Sequence, residues 1–220
     1  MRITSVNVGM PAELVTRDGV VMSGIVKRPV DGPVRVGRTN LDGDGQADLS
    51  VHGGVDMAVY AYPGEHYASW AAQLGRDDLT PGFFGENLTV EGLTEDDVRI
   101  GDRVRAGTAL LEVSQPRLPC FKLAARSGEP AIAKPMLRSG RTGWYMRVVE
   151  EGVVAAGDAI VRVERAEPSM TVHEIADLIG SGADPDDLDR GAAVSALTLG
   201  WRESFAQRAV AARERLRRAR

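Results

Sequence analysis

The 220-residue sequence predicts a mainly β fold with α-helices, ending in a small helical unit. Short β-branched or aromatic runs bounded by Gly, Pro or Asp recur before residue 165, which favours an antiparallel barrel or sandwich over alternating βαβ units. The 25 glycines are too many for a helical bundle, and most lie in this first part. After Pro168 the pattern becomes helical. We therefore expect a β domain over residues 1–165 and a three-helix unit over residues 168–220.

The predicted strands share this composition and lie at residues 3–8, 20–26, 34–36, 50–55, 59–62, 88–90, 110–113, 145–149 and 160–163. One helix interrupts them at residues 65–74, because Tyr67, Trp70 and Leu74 recur at helical spacing and form one apolar stripe.

Three start signals predict the C-terminal helices. Thr171 and Glu174 have the spacing of a capping box, and that helix should end at Gly180. Asp184 followed by proline predicts a second helix that runs toward residue 197. Thr198 is a suitable cap for the third, which is rich in arginine.

Composition excludes several classes of protein. The formal net charge of −4 is not that of a generally basic nucleic-acid binder, so no nucleic-acid partner is expected. Residues 202–220 hold seven arginines and two glutamates, which we interpret as a solvated helix end. The single cysteine, Cys120, excludes an internal disulfide and a multi-cysteine metal site. The sequence shows no signal-peptide pattern and no long apolar run, so we expect a cytoplasmic protein without a membrane partner.

The segment that begins at Asn40 resembles half of a calcium loop. Asn40, Asp42 and Asp44 occupy the first three ligand positions and Gly45 follows, but Val51 stands where the bidentate glutamate belongs. The pattern therefore favours a tight turn in which the aspartates bond their own backbone.

The loop around Cys120 carries the strongest chemical signal. Two prolines stiffen it, and Arg117 and Lys122 lie close in sequence. Neighbouring cations favour the thiolate, which is the form of cysteine that attacks electrophiles or ligates metals. A lone cysteine is also commonly a small buried apolar residue, and the sequence leaves both interpretations open.

Two further segments are candidates for ligand binding. His52 precedes Gly53 and Gly54, whose backbone could approach a ligand closely, although a hairpin turn explains the same pattern. Asn87 offers a polar group where a predicted strand begins.

Basic residues gather near turns of the otherwise acidic β part. Lys27 and Arg28 close one predicted strand, and Arg141 lies in a glycine-containing segment that could hold a phosphate. Together they suggest an anionic ligand, whereas each alone is commonly a solvated surface charge.

Five segments in order resemble the bacterial MOSC-domain family of the YiiM type: GDGQADLSVHGG (43–54), AVYAYP (58–63), FGENLT (84–89), QPRLPCFKL (115–123) and GRTGWYMRV (140–148). The likeness extends over residues 1–165, and the C-terminal helices resemble the three-helix extension of that subgroup. One departure is Met57, where the family often has lysine.

The resemblance implies a MOSC-type β-barrel that binds molybdenum cofactor in its molybdopterin form. The family cysteine corresponds to Cys120, which would ligate molybdenum, a soft-ligand role that suits a thiolate. We expect Cys120 and His52 to be catalytic. The expected cofactor-binding residues are Lys27, Arg28, His52, Gly53, Gly54, Asn87, Arg117, Arg141 and Tyr145.

The implied activity is reduction of N-hydroxylated small molecules, including hydroxylaminopurine-like bases, and hence their detoxification. The sequence has no GxGxxG nucleotide fingerprint, so electrons should come from a separate reductase. His52 is the expected source of protons near neutral pH. The alternatives are a sulfur carrier that holds a persulfide on Cys120, and an interaction protein whose C-terminal helices form a docking or homodimer surface.

Overall fold

The computed structural model describes residues 1–48, 53–180 and 182–218, which form twelve strands and six α-helices. The strands are β1 (Arg2–Val8), β2 (Ala12–Thr16), β3 (Gly19–Ser23), β4 (Arg28–Pro29), β5 (Val34–Val36), β6 (Val59–Pro63), β7 (Leu88–Glu91), β8 (Arg103–Ala106), β9 (Ala109–Pro116), β10 (Trp144–Glu150), β11 (Gly152–Val154) and β12 (Ile160–Glu164). The helices are α1 (His66–Leu74), α2 (Phe121–Ser127), α3 (Ala133–Arg138), α4 (Val172–Ile179), α5 (Pro185–Ala193) and α6 (Leu199–Arg218).

Eight strands form one large sheet in the order β12-β8-β9-β10-β6-β7-β1-β4. All its neighbouring pairs are antiparallel except β6 and β7, which run parallel with α1 in the connection between them. Two further pairs, β11 with β5 and β2 with β3, form small antiparallel sheets. The predicted combination of strands and helices is confirmed as a mixed α/β fold with one large sheet, but the described strands do not dominate over the helices.

The predicted MOSC-type β-barrel is not confirmed, because the residues that the structure describes do not form a closed barrel. The sheet ends at β12 and β4, and no continuous ladder joins its two ends. The start of β1 meets the start of β12 at one isolated bridge, Arg2–Ala159, where Ile3 N donates to Asp158 O over 2.9 Å. The sheet therefore curls back on itself, but this short contact does not extend into paired strands.

Most predicted strands are confirmed within a few residues, whereas β2, β4, β8 and β11 were not predicted. The strand predicted at 20–26 ends at Ser23, because Ser23 pairs with Ala12, the first residue of β2, and the ladder stops there. Of the strand predicted at 50–55, residues 50–52 lie outside the described residues, and Val55 begins a single 3-10 turn, Val55–Met57.

The three predicted C-terminal helices are present, with the Thr171 and Glu174 capping box as expected. The second ends at Ala193 rather than near residue 197. The apolar face of α4, including Ile175, packs into the same core as Leu111 of the sheet. The helices therefore share the core of the sheet, while the domain boundary at residues 165–168 stays a prediction.

Strand β6 separates two apolar clusters, because successive side chains on a strand point to opposite faces. Val59 and Ala61 point into the large core of the sheet, whereas Tyr60 and Tyr62 point into a second, aromatic cluster. There Tyr62 stacks on Phe84 with ring centroids 4.5 Å apart. The aromatic cluster forms the floor on which the candidate site is built. Within the described residues, none of the helices has the length and apolar character that a membrane span requires.

Candidate functional site

A cleft opens beside the aromatic cluster and contains about 610 Å³ of empty space, part of it open to solvent. Its lining comes from distant parts of the chain. These are the end of β3, the loop near Gly45, the middle of β6, the turn before β7, the segment that follows β9, and the start of β10. The ends of several strands thus bring polar side chains to one place, as binding sites commonly require.

One side of the cleft is lined by Lys27 and Asn87, and the buried Asp44 lies behind them. We call these three residues the acid wall. Lys27 Nζ makes a short ion pair with Asp44 Oδ1, and both side chains are almost completely buried. Asn87 Nδ2 donates to Asp44 Oδ2 over 2.9 Å, and the amide of Gly9 donates to Asp44 Oδ1 over 3.0 Å. Asn87 Oδ1 in turn accepts from the backbone N–H of Tyr60 over 3.0 Å. The acid wall is therefore a closed network in which each charge has a partner.

Burial is the main influence on the Lys27 ammonium. It lowers the pKa of Lys27 below the ordinary lysine value, and attraction to Asp44 offsets part of that effect. The Asp44 carboxylate therefore has a structural role, and it bonds distant groups rather than the backbone of its own turn.

A second buried carboxylate, Glu86, shapes the turn beneath the acid wall. Its oxygens accept from the backbone amides of Gly82 (2.8 Å) and Phe84 (3.1 Å) and from the hydroxyl of Thr89 (2.9 Å). The Tyr67 hydroxyl makes a further short bond to it. Burial raises the pKa of Glu86, and these donors oppose the shift. The network fixes Phe84 and Asn87 where they line the cleft.

The opposite side, which we call the thiol wall, consists of Arg117, Cys120 and Tyr145. Cys120 is partly buried and directly precedes α2, in extended backbone conformation. Arg117 is only 4% exposed, and its guanidinium lies 5.7 Å from the ring centroid of Tyr60 and 3.6 Å from the sulfur of Met136. Within the described chain no carboxylate forms an ion pair with Arg117, so its charge acts on the thiol and the phenols around it.

The pKa values of the thiol wall reflect this mutual influence. Burial would lower the pKa of Arg117, but Tyr60, Tyr145 and Cys120 together raise it above its ordinary value. Burial raises the pKa of Tyr145, with Arg117 opposing that shift. Arg117 thus stays charged and Tyr145 stays a neutral hydroxyl at physiological pH. A positive charge beside Cys120 favours the thiolate form.

Three comparisons relate this arrangement to known proteins. A family model described as the MOSC domain matches residues 48–161. The chain belongs to the MOSC domain family.

Relatives and solved structures agree with this assignment. YflK from Bacillus subtilis (strain 168) is 42% identical over 205 residues, which are 92% of each chain. A crystal structure of YiiM from Geobacillus stearothermophilus is 39% identical, has a TM-score of 0.79 and covers 94% of this chain and 98% of its own. A protein named "Reductase" from Gibberella moniliformis (strain M3125 / FGSC 7600) is 41% identical over 160 residues, which are 71% of this chain and 28% of that protein. The YiiM type expected from the motifs is therefore confirmed.

The MOSC fold brings most of the predicted site residues to the cleft. Those that line it are Lys27, Gly53, Asn87, Arg117, Cys120 and Tyr145. Met57, which stands where lysine is frequent in the family, also lines the cleft. His52 lies outside the described residues, so its predicted role stays a prediction.

Three predicted residues do not line the cleft. Arg141 turns toward α1 instead, where it donates to Ser69 Oγ over 2.5 Å and stacks 4.5 Å above the ring of Trp70. Arg28 follows Lys27 in an extended segment and therefore points to the opposite side, where it is exposed. Gly54 starts the 3-10 turn next to the cleft with φ +80. The sequence shows that Arg28 and Arg141 are near cleft residues along the chain, but it does not show the direction in which their side chains point.

Sequence reasoning missed several lining residues. Tyr60 and Phe84 were interpreted only as parts of a strand and a turn. Gln46 also lines the cleft, and its Oε1 is a buried acceptor with no hydrogen-bond partner among the described residues. Alternation along residues 59–62 was the one signal that could have separated Tyr60 from the residues of the main core.

Proposed function

We propose that this chain is an oxidoreductase that binds molybdenum cofactor and reduces N-hydroxylated small molecules. The observation that carries the proposal is the thiol wall, where the single cysteine of the chain lies in a cleft beside an arginine that no described carboxylate neutralises. A thiolate is the protein ligand that molybdenum held by dithiolene sulfur accepts, so the residue type matches the metal.

Two features of the cleft support binding of the organic part of the cofactor. A pterin ring offers N–H donors, and the buried Gln46 Oε1 is an acceptor that the described residues leave unpartnered. A terminal phosphate requires cations, which Arg117 and Lys122 provide in the lining. We propose that Cys120 holds the metal and that Arg117, Lys122 and Gln46 hold and orient the rest, while the acid wall shapes the facing side of the cleft. When bound, the cofactor would supply the two-electron redox chemistry.

The aromatic lining supports a planar substrate. Tyr60 and Tyr145 lie with ring centroids 5.2 Å apart, and Phe84 and Ile25 continue the apolar surface. Such surfaces bind flat heteroaromatic rings by stacking, as the hydroxylaminopurine class requires. The neutral Tyr145 hydroxyl can donate a hydrogen bond to the N–O group, and Arg117 keeps it oriented.

Two electrons per turnover require a donor. We propose a separate reductase, and the relative named "Reductase" supports it, because the matched region is only 28% of that protein. If a MOSC domain and its electron-donating reductase were joined in one chain, the MOSC domain would make up only a small part of that chain, as it does there.

The test is Cys120→Ala in a host supplied with molybdate. We expect bound molybdenum, pterin fluorescence and N-hydroxy reduction to fall together to background, with an unchanged unfolding midpoint. As a matched control, Ser127→Ala removes a buried polar group at the other end of α2 and should keep both metal and activity. Normal metal content and activity in Cys120→Ala would contradict the proposal. Wild-type protein that carries one extra sulfur on Cys120 and no molybdenum would instead identify the sulfur carrier.

A further inference from the structure

Outside the cleft, two arginines lie over one buried ring and a third lies near one of them. The guanidinium carbons of Arg76 and Arg126 lie 5.1 Å and 5.4 Å from the ring centroid of Phe83, which is 2% exposed. Burial lowers the pKa of Arg126, and the neighbouring positive charges of Arg76 and Arg28 lower it further. We call Arg28, Arg76 and Arg126 the arginine cluster.

The arginine cluster is not neutralised by its surroundings. Arg76 makes a two-bond pair with Asp78 (2.7 and 2.6 Å) and also donates to the carbonyl of Ser127 over 2.9 Å. Arg126 Nε is buried and has no hydrogen-bond partner among the described residues, and no described carboxylate forms an ion pair with Arg28. Three cations therefore share one carboxylate, in a chain whose formal net charge is −4. Such repulsion is unfavourable unless an anion relieves it.

The arginine cluster and the Phe83 ring border the cleft, because nearby residues on the same chain segments line it. Arg28 follows Lys27, Phe83 precedes Phe84, and Arg126 lies four residues after Lys122, so Arg126 and Lys122 share one face of α2. Lys27, Phe84 and Lys122 all line the cleft. An anion held by the cluster would thus lie at the rim rather than inside the proposed cofactor site.

We propose that the arginine cluster is a second anion-binding site that takes a phosphate group. Guanidinium groups bind phosphate through paired N–H donors. Asp78 and the Ser127 carbonyl hold Arg76 in place, and the guanidinium groups of Arg28 and Arg126 have donors that no described residue accepts. The phosphate could be inorganic or could belong to a nucleotide whose base enters the cleft. The site does not depend on the activity proposed above, because the three arginines that form it do not line the cleft.

Calorimetric titration of the metal-free chain with inorganic pyrophosphate at low salt tests this site. We expect Arg126→Gln and Arg28→Gln each to weaken binding by about tenfold or more, the loss of one charge-assisted contact. Arg28 is exposed, so its replacement keeps the test valid if Arg126→Gln folds poorly. The matched control is Arg17→Gln, an exposed arginine in the turn between β2 and β3, which should bind within about twofold of wild type.

A second titration identifies the source of the phosphate. If the site serves a nucleotide, AMP will bind more tightly than both adenosine and pyrophosphate, and Arg28→Gln will remove that advantage. If it serves free phosphate, adenosine will add nothing. Absence of pyrophosphate binding by wild type, or wild-type affinity in both cluster variants, would overturn the proposal. Cys120→Ala should retain full pyrophosphate affinity, which separates this test from that of the proposed function.

Discussion

The two walls of the cleft treat charge in opposite ways. In the acid wall, Lys27 is buried next to the Asp44 carboxylate, which neutralises most of its positive charge. In the thiol wall, Arg117 is even more deeply buried but faces a thiol, two phenols and a thioether. The difference shows that a cation near a cleft is available to a ligand only if no carboxylate already neutralises it.

The largest expected effect concerns the stability of the acid wall. Asp44→Asn should lower the free energy of unfolding by about 3–5 kcal/mol, because it leaves the buried Lys27 ammonium without a charged partner. Urea unfolding at neutral pH measures the change.

The control for that experiment lies in the same turn. The carboxylate of Asp42 is 66% exposed and only 3.7 Å from Arg35, so Asp42→Asn should change stability by less than about 0.5 kcal/mol. Equal effects of the two substitutions would contradict a structural role for the acid wall.

The next effect concerns the reactivity of the thiol wall. Arg117→Met should slow alkylation of Cys120 by iodoacetamide at pH 7 by about tenfold, because the cation that favours the thiolate is lost. Mass spectrometry of the modified peptide gives the rate.

Arg141→Met is the informative comparison for that rate. The sequence groups Arg141 with Arg117. The structure places the Arg141 guanidinium over the ring of Trp70 in α1, and Arg141 does not line the cleft. Its replacement should leave the alkylation rate unchanged. A slower rate in Arg141→Met would show that the two arginines act on one site after all.

The smallest expected effect is a pH dependence that belongs to Lys27. Burial lowers its pKa in the folded chain below 10.5, so between the folded value and about 10.5 the unfolded chain binds more protons. The free energy of unfolding should therefore gain a rising contribution with pH across that window. The contribution should be absent in Lys27→Met, which urea unfolding at several alkaline pH values will show. A wild-type curve parallel to that of the variant would mean that burial does not shift this lysine.

The sequence predicted the fold best where local signals were strong. Capping residues indicated the start of α4, alternating apolar residues indicated β1, and a run of β-branched and aromatic residues indicated β6. The two-residue strand β4 and the seven-residue helix α2 were missed, because such short elements are stabilised by tertiary contacts rather than by their own composition. The closed barrel was expected from resemblance, and the described strands meet there at a single bridge.

Sequence by itself determined which residue types this MOSC chain has for chemistry. A single cysteine that lies between two cations and follows two prolines indicated the candidate metal ligand. Five motifs in the expected order along the chain indicated the family. Only the tertiary structure decided which cations are available, because the direction of a side chain depends on strand register and on what packs against it. It turned Arg141 and Arg28 away from the cleft, gave Lys27 a carboxylate partner and left Arg117 beside the thiol. Electrostatic interactions act through space, and only folding fixes the distances on which they depend.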